Sequence, residues 1–302
     1  MNIAILWGLR QIHKIVNSIF LYLIPTLALM LLLVAYPVFY ELYISFTQRY
    51  LGVGYIYVGL KNYFSLFSSN LFWHSLRITA TYAVGSVSLS FVWGLVLALL
   101  VNERVKARTL FRAILLLPWV IPPVAAALTF RWLLHERLGL VNYILMTLFG
   151  VPPVPWLSNE TFAMITGIVA NSWKIAPFGM VMILGALQSI PQELYEAAEV
   201  DGATSIHKFW YVTLPGCRGA MLTVLLMEII WSFCSFTLLF ALTEGGPLNA
   251  TLILPIYIYR LSFQEFDFCL AAAASTVLLM IMSLWTALYL KYKEESTEHI
   301  GR

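Results

Sequence analysis

Six stretches of this chain are apolar over the length of a bilayer: Ser18–Phe46, Ile78–Val101, Thr109–Trp132, Phe162–Leu187, Gly219–Leu242 and Leu270–Lys291. About 20 mostly apolar residues cross a membrane as a helix. Lipid offers no partner to an unpaired amide, so such runs close their own backbone hydrogen bonds by coiling. Composition supports the reading: of 302 residues, 61% are hydrophobic and 11% are charged, against about a quarter charged in soluble domains. The expectation is an all-α, polytopic membrane protein with about six transmembrane helices and both ends on one side. It reads as one membrane domain over 1–302, with a first span at 18–46 and a core at 72–291. The first run follows Arg10 and Lys14, but it is too long for a signal-peptide core and no A-x-A site closes it. It is expected to be a retained span.

Lys and Arg set the orientation. Arg10, Lys14, Arg104, Lys106, Arg108, Arg112, Lys208, Arg218, Lys291, Lys293 and Arg302 fall on one side, in clusters. Arg49, Lys61, Arg77, Arg131, Arg137 and Arg260 are scattered on the other. The first side is expected to be cytoplasmic, with both termini. Cys217, Cys234 and Cys269 are isolated and form no disulfide framework or metal pattern.

One polar island, Ser189–Gly216, separates the fourth and fifth runs on that same side. Its pattern is two short helices. Ser189 and Gln192 have capping-box spacing, with Pro191 between them. Gly202 is a natural helix stop. A second turn is expected from about Thr204 to Pro215, which cannot continue a helical ladder.

Within the island, Glu196-Ala197-Ala198, three residues, Gly202, nine residues and Val212-x-Leu214-Pro215 resemble the EAA loop of ABC importer permeases, with Val212 where that family usually has Ile. The flanks Gln188-Ser-Ile-Pro191 and Asp201-Gly202-Ala203, and the outer turn Thr243-Glu-Gly-Gly-Pro247, are similar to the carbohydrate-uptake branch. Leu21–Phe46, with Pro25, Pro37 and Ser45-Phe46, resembles the first span of lactose-, glycerol-phosphate- and trehalose-type permeases, and the likeness extends to about Tyr292. The resemblance implies the type I ABC importer permease fold. It implies that Glu196, Ala197, Ala198, Glu199, Asp201, Gly202, Ala203, Leu214 and Pro215 couple to a cytoplasmic ABC ATPase. It also implies a second homologous permease, an ATPase dimer that carries the ATP and Mg, and an extracytoplasmic solute-binding protein. Membrane lipid is the remaining partner, and nothing suggests nucleic acid.

The chain lacks the residues to hydrolyse ATP itself. It contains no Gly-Lys, so no P-loop. His135-Glu136 starts like a zinc-protease helix, but Gly139 stands where the second His belongs. No nucleophile has a matched base. The chain is therefore expected not to be an enzyme, and to hold no cofactor or metal.

Two charges interrupt the spans. Lys174 lies mid-way along the fourth and Glu228 mid-way along the fifth. A charge at the bilayer centre costs about 2.5–3.5 kcal/mol on insertion scales, so such residues face a cavity or one another. Either they pair as a structural salt bridge, or one or both contact a polar substrate. Trp173, Phe178, Trp231, Phe233 and Phe236 crowd the same depth, beside Asn171, Ser232 and Ser235. Aromatic faces with few polar groups suit a sugar ring. The expected substrate pathway is Asn171, Trp173, Lys174, Phe178, Glu228, Trp231, Ser232, Ser235 and Phe236. Pro118, Pro122 and Pro123 are expected to bend the third span, and Ala125–Ala127 and Ala271–Ala274 to let helices approach closely.

The function expected is a permease subunit of an ATP-driven importer that translocates a sugar or related polyol by alternating access. An ABC permease for another solute, an ATPase-independent secondary transporter and an intramembrane enzyme are the other readings weighed.

Overall fold

A computed structural model describes residues 23–50, 52, 54–103 and 108–298. The predicted span start at 18–22 and the basic residues Arg10, Lys14, Arg104, Lys106 and Arg302 lie outside the described residues. The fold is almost wholly helical. The chain divides into two compact units: one runs to Ser68 and takes in Phe266–Val277, the other holds Ser69–Glu265 and the chain from Leu278 on.

In the first unit, helix α1 (Leu23–Ser45) is the first span, and its apolar side chains are almost all exposed, as befits a helix in lipid. It ends at a short antiparallel hairpin, β1 (Thr47–Tyr50) and β2 (Gly54–Tyr57), with Thr47 opposite Tyr57. This hairpin was not anticipated in the loop after the first span. Asn62, on α2 (Lys61–Phe67), ties it down by donating to the carbonyls of Ser45 (2.8 Å) and Thr47 (2.7 Å).

In the second unit, α3 (Asn70–Asn102) and α7 (Glu160–Ser189) form the central pair. The approach of Gly94 to the Ala176–Met180 backbone is so close that a Cβ there would lie 3.0 Å from the Ala176 carbonyl oxygen. Small residues let membrane helices gain packing energy this way where the hydrophobic effect gives none.

The third predicted span is not one bent helix but two: α4 (Arg108–Val120) and α5 (Pro123–Leu133), meeting at 93°. Of the three prolines, Pro118 is carried inside α4; the break falls at Ile121-Pro122. Two adjacent prolines remove two successive donors, so the carbonyls of Pro118 and Trp119 lose their i+4 partners and the ladder stops. Ala126 and Ala127 on α5 are buried, as are Ala271–Ala274.

The fifth span is also displaced. Its helix, α9, runs Ser205–Phe233, begins well before Gly219 and ends well before Leu242. It passes through Pro215 because Phe209–Thr213 forms a π turn, which shifts the hydrogen-bond register just ahead of the missing N–H. Beyond an unwound stretch at Ser235-Phe236 the chain resumes as α10 (Thr237–Thr243). Helix α11 (Leu254–Phe263) follows the Thr243–Pro247 turn, and α12 (Phe268–Glu298) is the last span. The loop between α5 and α7 carries α6 (Leu140–Phe149). In it, His135 Nδ1 accepts from the amides of Arg137 and Leu138, so it caps a turn.

Candidate functional site

The two broken spans meet at one cavity of about 280 Å³. Trp119 and Pro123 line it from either side of the α4/α5 break, and Cys234 to Leu238 from the α9/α10 break; Asn171, Lys174 and Ile175 on α7 and Trp231 on α9 complete it. Irregular backbone is tolerated at membrane depth where it borders such a cavity rather than lipid. Transport proteins use interrupted helices to place polar groups there.

Of the nine predicted pathway residues, the structure brings five to this cavity: Asn171, Lys174, Trp231, Ser235 and Phe236. Phe178 and Ser232 stand just behind it. Phe178 meets Trp231 edge-on, with ring centroids 4.7 Å apart, and also packs on Trp119. Ser232 accepts from Asn171 Nδ2 at 3.3 Å. Trp173 packs edge-on against Phe130 of α5 and lies outside the lining. Trp119, Pro123, Cys234 and Thr237 were missed as pathway residues. The Pro122-Pro123 pair was the available signal for the first two; the Ser-Phe-Cys-Ser-Phe-Thr run, whose hydroxyls compete for backbone partners, was a weak one for the others.

Of the two alternatives for Lys174 and Glu228, the salt bridge between them does not form. Lys174 Nζ donates to the Trp119 carbonyl at 3.1 Å. That carbonyl is one of those orphaned by the proline pair, so the ammonium caps the broken end of α4, where the helix dipole favours a cation. Glu228 is fully buried about a turn and a half before the α9 break. Its Oε2 accepts from Ser90 Oγ at 2.6 Å, and its Oε1 has no hydrogen-bond partner among the described residues. A Cβ on Gly179 would lie 3.2 Å from that Oε1. Lys174 and Gly179 are five positions apart on α7, about 140° around the helix. Lys174 therefore leaves α7 on the face at the cavity, while Glu228 of α9 packs against a different face of α7, in the α3–α7–α9 seam.

The island between α7 and α9 forms a second feature. Helix α8 (Gln192–Val200) buries none of its residues. It closes as anticipated at Gly202, which adopts φ +76°. The amide of Ala203 donates to Ala198 (2.8 Å) and that of Gly202 to Glu199 (3.0 Å), the paired bonds of a Schellman end. The predicted capping box does not form: Ser189 is the last residue of α7, its hydroxyl donates back to Ala186, and α8 starts from Pro191. Thr204 caps the next helix by accepting from the His207 amide. Tyr195 clips α8 to Thr213 (3.1 Å), and Lys208 forms an ion pair with Glu199 (2.6 Å). Glu196, Ala197, Glu199, Asp201, Gly202 and Pro215 are exposed, while Ala198, Ala203 and Leu214 are half-buried. Val200 (89%), Tyr211 (78%) and Ile206 (70%) hold apolar side chains out in the open.

Broken spans around a polar cavity, with an exposed helix–turn–helix linking two cavity-lining helices, define a subunit of a membrane transport system. The chain belongs to the family of binding-protein-dependent transport system inner membrane components, whose profile matches residues 90–292. It is 34% identical over 276 residues to a trehalose/maltose transport system permease protein of Thermococcus litoralis, covering 90% of this chain and 92% of that one. It is 33% identical over 273 residues to a sulfoquinovosyl glycerol transport system permease protein of Agrobacterium fabrum, covering 90% and 88%. Among solved structures, it resembles a chain of a bacterial alginate ABC transporter in complex with an alginate pentasaccharide-bound periplasmic protein. The TM-score is 0.80 at 26% identity, with 91% of this chain and 93% of that one covered.

Proposed function

We propose that this chain is a permease subunit of an ATP-driven ABC importer that passes a saccharide or related polyol across the cytoplasmic membrane by alternating access. The observation that carries the proposal is the cavity at the two breaks. Its aromatic walls (Trp119, Trp231, Phe236) suit the apolar faces of a sugar ring, and Asn171, Ser235 and Thr237 offer hydrogen bonds to hydroxyls. The sugars named for the relatives support the same reading.

The island supplies the link to the energy source. Its exposed apolar side chains suit a groove on a cytoplasmic ATPase, with Glu196, Glu199 and Asp201 available to basic groups. Because α8 follows α7 directly and is clipped to α9, a displacement of α8 moves both helices, and both line the cavity. In this reading ATP and Mg belong to an ATPase dimer, a second permease chain completes the pathway, and a solute-binding protein delivers the sugar outside.

The test is uptake of labelled oligosaccharides by proteoliposomes holding the complete importer. Uptake is expected to require both ATP and the binding protein; accumulation of sugar without ATP would instead favour a secondary transporter. The island and the termini face the cytoplasm in this reading. In a Cys234→Ser background, a membrane-impermeant maleimide added to intact cells is expected to label Ser158→Cys and to miss Ser205→Cys, both positions being exposed. The opposite labelling would invert the topology.

A further inference from the structure

Among the described residues, the wall that this chain gives the cavity carries a positive charge and no negative one. Lys174 is the one formally charged residue among those that line it. The ammonium forms no ion pair with a carboxylate among the described residues. Glu228 of α9, the other charged residue within the spans, is committed to Ser90 of α3 in the seam on a different side of α7. Helix ends do not supply a full counter-charge: the end of α4 that Lys174 caps carries only a partial negative charge. The C-terminal ends of α4 and α9 and the N-terminal ends of α5 and α10 all abut the breaks, and their opposite partial charges offset one another in pairs. The Trp119 carbonyl takes one N–H of Lys174, which leaves two donors of the three that an ammonium carries.

We infer that the substrate is an anionic saccharide, one bearing a carboxylate, sulfonate or phosphate, and that Lys174 is the residue that selects for the acid group. This rests on the reading of the chain as a saccharide permease. The acid group would receive charge-assisted bonds from the two free donors while the sugar ring lies against Trp231 and Phe236. Selection also works by exclusion. Closing the pathway around a neutral sugar would strip water from the ammonium and give it no counter-charge, which is costly in a low-dielectric site. An acidic sugar removes that cost.

The experiment uses the complete importer in proteoliposomes and two matched pairs of probes: digalacturonate with galactobiose, and maltobionate with maltose. The readout is the acidic-to-neutral ratio of ATP-dependent uptake, each variant compared with the unaltered importer, so that the binding protein's own preference divides out. Lys174→Gln is expected to lower this ratio about tenfold or more, the worth of a hydrogen bond to a charged group, and Lys174→Arg to preserve most of it. Thr237→Asp keeps Lys174 and its Trp119 bond but adds a carboxylate to the cavity wall, and it too is expected to lower the ratio; it decides the matter if Lys174→Gln fails to assemble. An unchanged ratio in Lys174→Gln and Thr237→Asp, or uptake of the neutral members alone by the unaltered importer, overturns the inference and leaves the saccharide reading standing. ATP-dependent uptake of an amino acid or inorganic phosphate, with none of the four sugars carried, overturns the saccharide reading itself.

Discussion

Glu228→Lys is expected to abolish accumulation of the protein in the membrane, and Lys174→Glu added to it is expected not to restore it. The carboxyl of Glu228 is completely buried where α3, α7 and α9 meet, with Ser90 as its donor and Gly94, Gly179 and Val224 around it. A longer cation placed there finds no acid. It also meets a hydroxyl that must turn from donor to acceptor, and backbones already in contact. An uncompensated buried charge costs about 3–5 kcal/mol, and overpacking adds about 1–3 kcal/mol, together a large share of the stability of an ordinary domain. Rescue by charge exchange would require position 174 to reach position 228, but Lys174 faces the opposite break, at Trp119. Glu228→Gln keeps an oxygen for Ser90 and puts its amide where Oε1 already lacks a partner, so it is expected to accumulate nearly as the unaltered chain does. Detergent extraction and fluorescence-detected gel filtration of the variants measure this. A double variant that returns to full accumulation would show that the two residues pair after all.

What was legible in the sequence, and what was not, follows from the range of the signals. Gly202 and Thr204 announce helix ends because their effect is local: one supplies a left-handed φ, the other a side-chain acceptor three residues before an amide. The membrane runs are legible because apolarity over 20 residues has few other uses in a chain this poor in charge. The breaks are harder. Three prolines lie in the third run, and only the adjacent pair stops the ladder; Pro118 is absorbed within α4. The second break contains neither Gly nor Pro, and Cys234 to Phe236 is as apolar as its neighbours, so a run from Gly219 to Leu242 reads as continuous when it is two pieces. Partners are least legible. That Lys174 and Glu228 were unusual could be seen at once, but each is satisfied by a group that leaves no mark in a charge pattern. One is the carbonyl of Trp119, 55 residues away in sequence and freed by the proline pair; the other is a serine 138 residues away. Pairing them with each other matched depth along the spans but ignored the rotation about α7.

Gly202→Val is expected to leave the protein in the membrane and to disconnect it from its energy source. At φ +76° only glycine is at ease, yet a Cβ at this position would meet nothing within 4 Å. The penalty is therefore conformational, about 1–3 kcal/mol, and it falls on the turn between α8 and α9 without opening the α3–α7 seam. To relieve it the chain must give up the bonds from Ala203 to Ala198 and from Gly202 to Glu199, and with them the angle at which α8 presents Val200 and its acidic neighbours. At 1.4 kcal/mol per factor of ten, a strain of ~2 kcal/mol depopulates the docking arrangement roughly 30-fold. In proteoliposomes with ATPase and binding protein, the stimulation of ATP hydrolysis by loaded binding protein should fall by about that factor, while the amount of permease recovered stays the same. Gly202→Asn, which visits the left-handed region more readily, should recover a good part of the stimulation. If the importer carrying Gly202→Val hydrolyses ATP with undiminished response to loaded binding protein, the island is not the coupling element, and the contact that drives α7 and α9 has to be sought elsewhere on the chain.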